Sequence, residues 1–238
     1  MAKKVYRNKG SKDNIVISIA GAHGVGKSTV FQLLKKKYTN NLKFKFFAER
    51  YVKNPPFPFG SSNKQIAFRS ELHFLQQLIK RNQSIINYDE MYNGRIIILD
   101  RTPTCVLVYS KSLTLTEKDY KLILDTYNSV KWRQDYVIYL SAEPEAILKR
   151  IIQRGSLEKV RKEWNEYEKD YLLKILSYYN QLLISKMEKD KISILNTDNF
   201  TPEQVILEME SIISSLTHYS LEKQIKQPGQ TDIMKFLK

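Results

Sequence analysis

The chain has 238 residues, 42% hydrophobic and 27% charged, which fits one globular domain with a sizeable core and excludes a disordered or fibrous chain. Lys and Arg number 39 against 25 Asp and Glu, a net charge of +14 that suits polyanionic partners such as nucleotides or nucleic acid, though a scattered surplus also simply keeps a surface solvated. No apolar run approaches the roughly 18 residues of a membrane span, and Cys105 is the single cysteine, so an intrachain disulfide is excluded and a cytoplasmic location is expected.

Residues 1–13 read as a basic arm without the apolar core of a secretory signal. Ile15–Ala20 is an apolar, β-branched run that predicts a first strand, and residues 27–38 predict a helix. Between them stands Gly21-Ala22-His23-Gly24-Val25-Gly26-Lys27-Ser28-Thr29. Strand, glycine loop and helix in that order are the context that the phosphate-binding pattern G-x-x-x-x-G-K-[ST] requires. The glycines let the backbone turn tightly and aim N–H groups at an anion beside a helix N-terminus. Lys27 would reach the β- and γ-phosphates of ATP, and the Ser28 hydroxyl would hold Mg²⁺.

Leu42–Ala48 alternates and then turns apolar, predicting a second strand that delivers Glu49-Arg50 at its carboxyl end. Asn54–Ser62 is a proline-rich loop. Residues 63–88 predict a helix with Phe68, Leu72, Leu75 and Ile79 at helical spacing and with Gln76, Gln77 and Arg81 nearby. Arg95–Leu99 is a buried strand ending in Asp100-Arg101, an acidic residue placed as in the metal-binding partner of a P-loop. Helices are expected over 104–113 and 117–130, a strand over 136–141, a helix from Pro144 to 154, and a long amphipathic segment over 157–187. Ile192–Leu195 is the last strand, and Thr201-Pro202-Glu203-Gln204 starts a capped helix. Five apolar strands separated by helices predict an α/β fold, a three-layer α/β/α sandwich with a five-stranded parallel sheet. The expected organisation is an arm over 1–13, one P-loop domain over 14–217 and a tail over 218–238.

Over residues 14–215 the chain resembles the P-loop nucleoside and nucleotide kinases, and most of all thymidylate kinase. The P-loop carries the resemblance first, and Asp100-Arg101 with Tyr109 downstream carries it second; deoxynucleoside kinases usually have Glu-Arg there. Asp135–Leu140, Pro144-Glu145 and Lys149–Gly155 resemble the strand and the arginine-bearing helical lid of both families, the lid falling at about 150–165. Tyr167-Glu168 leading to Tyr178-Tyr179 resembles the segment after the thymidylate kinase lid. Departures are His23 within the P-loop, where an acidic residue is common in thymidylate kinases, and Glu49-Arg50-Tyr51 in place of an Arg-Glu-Pro-Gly-like turn. Glu49 also resembles the glutamate base of deoxynucleoside kinases, and Gln76 their base-reading glutamine.

The resemblance implies ATP-dependent phosphoryl transfer with Mg²⁺, the metal held by Ser28 and Asp100. Arg101 would clamp an acceptor phosphate, since a guanidinium offers bidentate geometry to phosphate oxygens. Val25 cannot supply an arginine finger from the P-loop, so Arg150, Arg154 or Arg161 of the lid would, Arg154 first because Gly155 follows it. Phe74 or Phe68 would stack on the acceptor base, and Gln76, Gln77 and Arg81 would read its edge. If the acceptor is a monophosphate such as dTMP, no base is needed; if it is a nucleoside, Glu49 takes the 5′-hydroxyl proton. A third reading is a P-loop ATPase or accessory protein near DNA. It draws on the positive charge and on Gln230–Leu237, which resembles a sliding-clamp docking motif with Leu237 in place of its second aromatic. The sequence leaves open whether the chain forms a homodimer.

Overall fold

The computed structural model describes residues 13–49, 61–153, 167–219 and 221. Within them, five strands form one parallel sheet in the order β2-β3-β1-β4-β5: β1 Ile15–Ala20, β2 Phe44–Phe47, β3 Ile96–Asp100, β4 Tyr136–Ser141 and β5 Ile192–Asn196. The helices are α1 Lys27–Lys37, α2 Lys64–Met91, α3 Cys105–Ser112, α4 Glu117–Asn128, α5 Pro144–Gln153, α6 Lys169–Tyr179 and α7 Pro202–Thr217. The expected α/β sandwich with a five-stranded parallel sheet is what the chain forms.

The central strands read as continuous apolar runs because both faces are covered. On one face Ile17, Ile19 and Ile98 pack with Phe31 and Leu34 of α1 and with Met209 and Ile213 of α7. On the other, Val16, Ile97 and Leu99 meet Ile85 of α2. The edge strands are short and only partly buried, as strands with one unpaired side must be. Asp135, just before β4, accepts the Val16 N–H at 2.8 Å and pairs with Arg133, tying β1 to β4 at their amino ends.

Helix starts follow local chemistry. Asn63 accepts the N–H groups of Gln65 and Ile66 at the head of α2, and Thr201 with Gln204 closes a capping box on α7, where Pro202 opens the helix. Two sequence expectations shift. The second strand starts at Phe44 instead of Leu42, because Phe44 N–H closes a turn on Asn41 O. The amphipathic segment expected over 157–187 is, within the described residues, an α-helix over Lys169–Tyr179 that passes into a π-helical turn over Asn180–Ile184. Residues 154–166, which hold Arg154 and Arg161, and the docking motif at Gln230–Leu237 lie outside the described residues. No helix among the described residues is long and apolar enough to cross a membrane.

Candidate functional site

β1 ends at Ala20 and the chain turns over Gly21–Gly26 into α1. The turn needs glycine at two places in particular. Gly21 has φ +139°, and a Cβ there would lie 2.5 Å from Leu140 O. Gly26 has φ +109° and caps α1 in a left-handed conformation, with nothing within 4 Å of where its Cβ would be. The head of α1 thus opens onto free space, and no acidic side chain in its first turn competes for the helix N–H groups.

Lys27, the first residue of α1, is 4% exposed and its Nζ donates to Ala22 O at 2.6 Å. Burial first, and the Arg101 guanidinium second, pull its ammonium down to about 7 against the opposing influence of Asp100 and Glu49. Ser28 and Thr29 follow on the exposed side of the helix. A cleft of about 350 Å³ runs from Gly24–Gly26 and Thr29 to Arg150, Thr197 and Phe200. It has the apolar and polar lining that a nucleotide base uses.

Arg150, one of the lid arginines expected to supply the finger, lies in the last turn of α5 and is already engaged. Its guanidinium donates to Thr197 Oγ1 at 3.0 Å and to the carbonyls of Thr197 and Val25. It joins the P-loop to the loop after β5 and forms one wall of the cleft.

The second half of the site is built from the carboxyl ends of β2 and β3, where open α/β sheets place their ligands. The register pairs Phe47 with Leu99, so Glu49 and Arg101, each two residues further on, emerge side by side. Arg101 Nε lies 2.8 Å from Glu49 Oε2, and its guanidinium covers the rings of Phe74 and Tyr109 at 5.8 and 5.9 Å. Arg101 is left-handed at φ +70°, a conformation that a residue other than glycine holds only under constraint. The constraint is visible: its N–H donates to Ile19 O at 3.1 Å, and Arg81 donates to the carbonyls of both Asp100 and Arg101. Asp100 is buried beside it with Oδ1 unpartnered. Tyr109 OH accepts the His23 N–H at 3.1 Å, linking the P-loop to this half, and the His23 ring lies 6.1 Å from that of Tyr171 on α6.

The structure therefore brings Lys27, Glu49, Phe74, Asp100 and Arg101 together beside the P-loop. It places the α2 candidates differently. The buried stripe of α2 comprises Ala67, Ser70, Glu71, Phe74, Leu75, Leu78, Arg81, Asn82 and Ile85. Gln76 is exposed, opposite that stripe, and Gln77 sits at its flank. Arg81 belongs to the stripe but is 2% exposed and spent on backbone carbonyls, so it supports the Asp100-Arg101 backbone from behind. Glu71 is the residue that sequence reasoning passes over. It is 3% exposed, and burial pushes its carboxyl up to about 8, with Arg101 opposing and Glu49 adding to the shift. The signal available in the sequence was its place at i−3 from Phe74, on the apolar face of a helix.

No group of three or more His, Cys, Asp or Glu residues is arranged to hold a metal by itself among the described residues. A family model described as deoxynucleoside kinase matches residues 17–218. The chain is 27% identical over 209 residues to the deoxyadenosine/deoxycytidine kinase of Bacillus subtilis, covering 84% of this chain and 94% of that protein. It is 23% identical over 203 residues to a thymidylate kinase of Nautilia profundicola, covering 82% and 98%. The solved structure of deoxyadenosine kinase from M. mycoides with bound dATP superposes with a TM-score of 0.64 at 23% identity, covering 84% of this chain and all of that one, and the dCTP complex does so with 0.63. These structural likenesses show the fold. The family match moves the assignment away from thymidylate kinase, which Asp100-Arg101 favours on sequence alone. The chain is a kinase and belongs to the deoxynucleoside kinase family.

Proposed function

We propose that the protein transfers the γ-phosphoryl group of ATP to the 5′-hydroxyl of a deoxynucleoside. The observation that carries this reading is the pair of Glu49 with Arg101 at 2.8 Å. The guanidinium expected to clamp an acceptor phosphate is engaged by a carboxylate. A carboxylate at the acceptor wall suits a hydroxyl, whose proton it can take, and repels a phosphate dianion. The nucleoside oxygen forms its new bond to the γ-phosphorus as the bond to the β-phosphate bridging oxygen breaks; the proton goes to Glu49, and ADP leaves. Arg101, held over Phe74 and Tyr109, faces the charge that develops there. The loop amides and Lys27 bind the donor phosphates, and the cleft beside Arg150 and Thr197 takes the donor base.

The site fits a divalent cation: Asp100 offers a buried, unpartnered oxygen and Ser28 a hydroxyl at the head of α1. Mg²⁺ bound there would neutralise donor phosphate charge. Deoxyadenosine and deoxycytidine are the first acceptors to test, given the B. subtilis relative. A second reading, a dTMP acceptor, draws on Asp100-Arg101 in place of Glu-Arg and on the N. profundicola relative. Calorimetric titration of the protein with deoxyadenosine, deoxycytidine, thymidine and dTMP separates the two: the nucleoside reading expects binding of a deoxynucleoside and weaker binding of dTMP, and the reverse order would favour the second.

A further inference from the structure

The phosphoryl-transfer site occupies the carboxyl ends of the strands, and the mechanism uses nothing at their amino ends. Two runs of one charge sign come together there. Residues 35–45 hold five lysines and no acidic residue, and residues 1–12 hold four lysines, one arginine and no acidic residue. Between them these runs carry ten positive charges in a chain of net charge +14. Lys35, Lys36 and Lys37 form the last turn of α1, and Lys43 ends the turn that leads into β2. That turn is pinned. Tyr38 stacks on Phe44 with ring centres 4.3 Å apart, Phe44 N–H donates to Asn41 O at 3.0 Å, and Lys43 Nζ donates to Gly94 O at 3.3 Å. The sheet register sets Phe44 and Ile15 on either side of Ile96. Lys43 and Asn14, one residue earlier in each strand, therefore sit level and two strand spacings apart, about 10 Å. The basic run over 1–12 joins the described chain at Asp13, beside this turn.

Little within the described residues neutralises the cluster. Lys37 pairs with Glu210 of α7 at 2.5 Å. Lys35, Lys36 and Lys43 are exposed and have no carboxylate partner among the described residues. The carboxyl end of a helix carries about half a negative charge, which a single lysine more than balances. The remaining cations repel one another, and a polyanion lying across them offsets that repulsion.

We propose that this end of the sheet is a docking surface for the phosphate backbone of a nucleic acid, engaged by Lys35, Lys36 and Lys43 together with the basic run over 1–12. The patch suits a nucleic acid better than a lipid surface. Leu42 is the only large apolar side chain exposed within 35–45, whereas an element lying in a membrane surface needs a continuous apolar face. Contacts to phosphates carry no sequence preference and weaken as salt rises. The surface faces away from the nucleotide cleft, so docking leaves turnover intact.

The experiment is fluorescence anisotropy of a labelled single-stranded DNA and a labelled duplex, each about 20 nucleotides long, titrated with the full chain at saturating ATP so that the nucleotide cleft is filled. The wild type is expected to bind at least one of them, with an affinity that falls steeply between about 50 and 200 mM salt. Lys35→Gln/Lys36→Gln/Lys43→Gln is expected to bind about tenfold or more weakly, with a log–log salt slope smaller by about 2–3. The variant should melt with the wild type, which shows that it is folded. No binding of either DNA at about 50 mM salt, or undiminished binding by the folded variant, would overturn the proposal. So would capture by phosphatidylserine vesicles without binding to either DNA. None of these readouts involves Glu49 or the acceptor, so they stand whichever acceptor the kinase takes.

Discussion

The Arg101 guanidinium and the Glu49 carboxylate stand 2.8 Å apart although they are carried by different strands. The parallel register of β2 and β3 puts them there. Replacing Glu49 by Gln keeps the shape and removes the base. The expected outcome is a fall in kcat of about 10²–10⁴ for a deoxynucleoside acceptor, with a much smaller change in KM. Steady-state kinetics check it, and a Glu49→Gln enzyme with full kcat would remove the assigned base.

Arg81 is the strut behind that pair. Its guanidinium satisfies the carbonyls of Asp100 and Arg101, and the side chain is 2% exposed. Arg81→Met would leave the buried Asp100 carbonyl without this donor, at about 1–3 kcal/mol, and the part-buried Arg101 carbonyl without its own. It would also release Arg101 from its left-handed conformation. The variant should melt at lower temperature and lose kcat even where it remains folded. Thermal denaturation and kinetics at a temperature below its transition measure the two effects separately.

Glu71 makes a prediction for stability. Its folded carboxyl lies at about 8, above the ordinary 4.5, so the folded state holds a proton that the unfolded chain releases in between. Stability is therefore greatest below the lower value and declines as pH rises through that window. Glu71→Gln removes the penalty, so it should exceed the wild type in stability above pH 8 by a few kcal/mol at most, on the order expected from the shift. The gap should close towards pH 4.5. Melting temperatures of both proteins across this range test the sign.

The P-loop glycines separate clash from conformation. Gly21→Ala sets a Cβ 2.5 Å from a backbone carbonyl and adds a strained φ, whereas Gly26→Ala adds only the strained φ. Strain of this kind costs roughly 1–3 kcal/mol. Gly21→Ala should therefore lower the melting temperature more than Gly26→Ala. Gly26→Ala should show its main effect in weaker ATP binding, because its new methyl group points into the open space at the head of α1. Calorimetry with ATP and thermal denaturation give both numbers.

What the sequence reveals here is what local pattern encodes. The P-loop is legible because φ above zero at three of its positions demands glycine at fixed spacing before a helix. The sheet is legible because β1, β3 and β4 are buried on both faces and so read as unbroken apolar runs. Asp100 and Arg101 are legible as the charged end of such a run. The acceptor wall is less so, because its members meet only through packing. Arg81 and Gln76 look alike in sequence, two polar residues on one helix, yet one is buried under β3 and the other faces outward. Arg150 reads as a free lid arginine until the loop after β5 is folded against it. Glu71 looks like a solvated carboxylate until the apolar face of α2 that carries it is buried.

The most direct test of the central claim is turnover itself: formation of ADP and of phosphorylated product from ATP and Mg²⁺ with deoxyadenosine, deoxycytidine, thymidine or dTMP as acceptor. The Glu49–Arg101 arrangement predicts a 5′-monophosphate from a deoxynucleoside, its formation slowed by about 10²–10⁴ in Glu49→Gln and lost in Lys27→Ala. Turnover of dTMP alone, insensitive to Glu49→Gln, would contradict it.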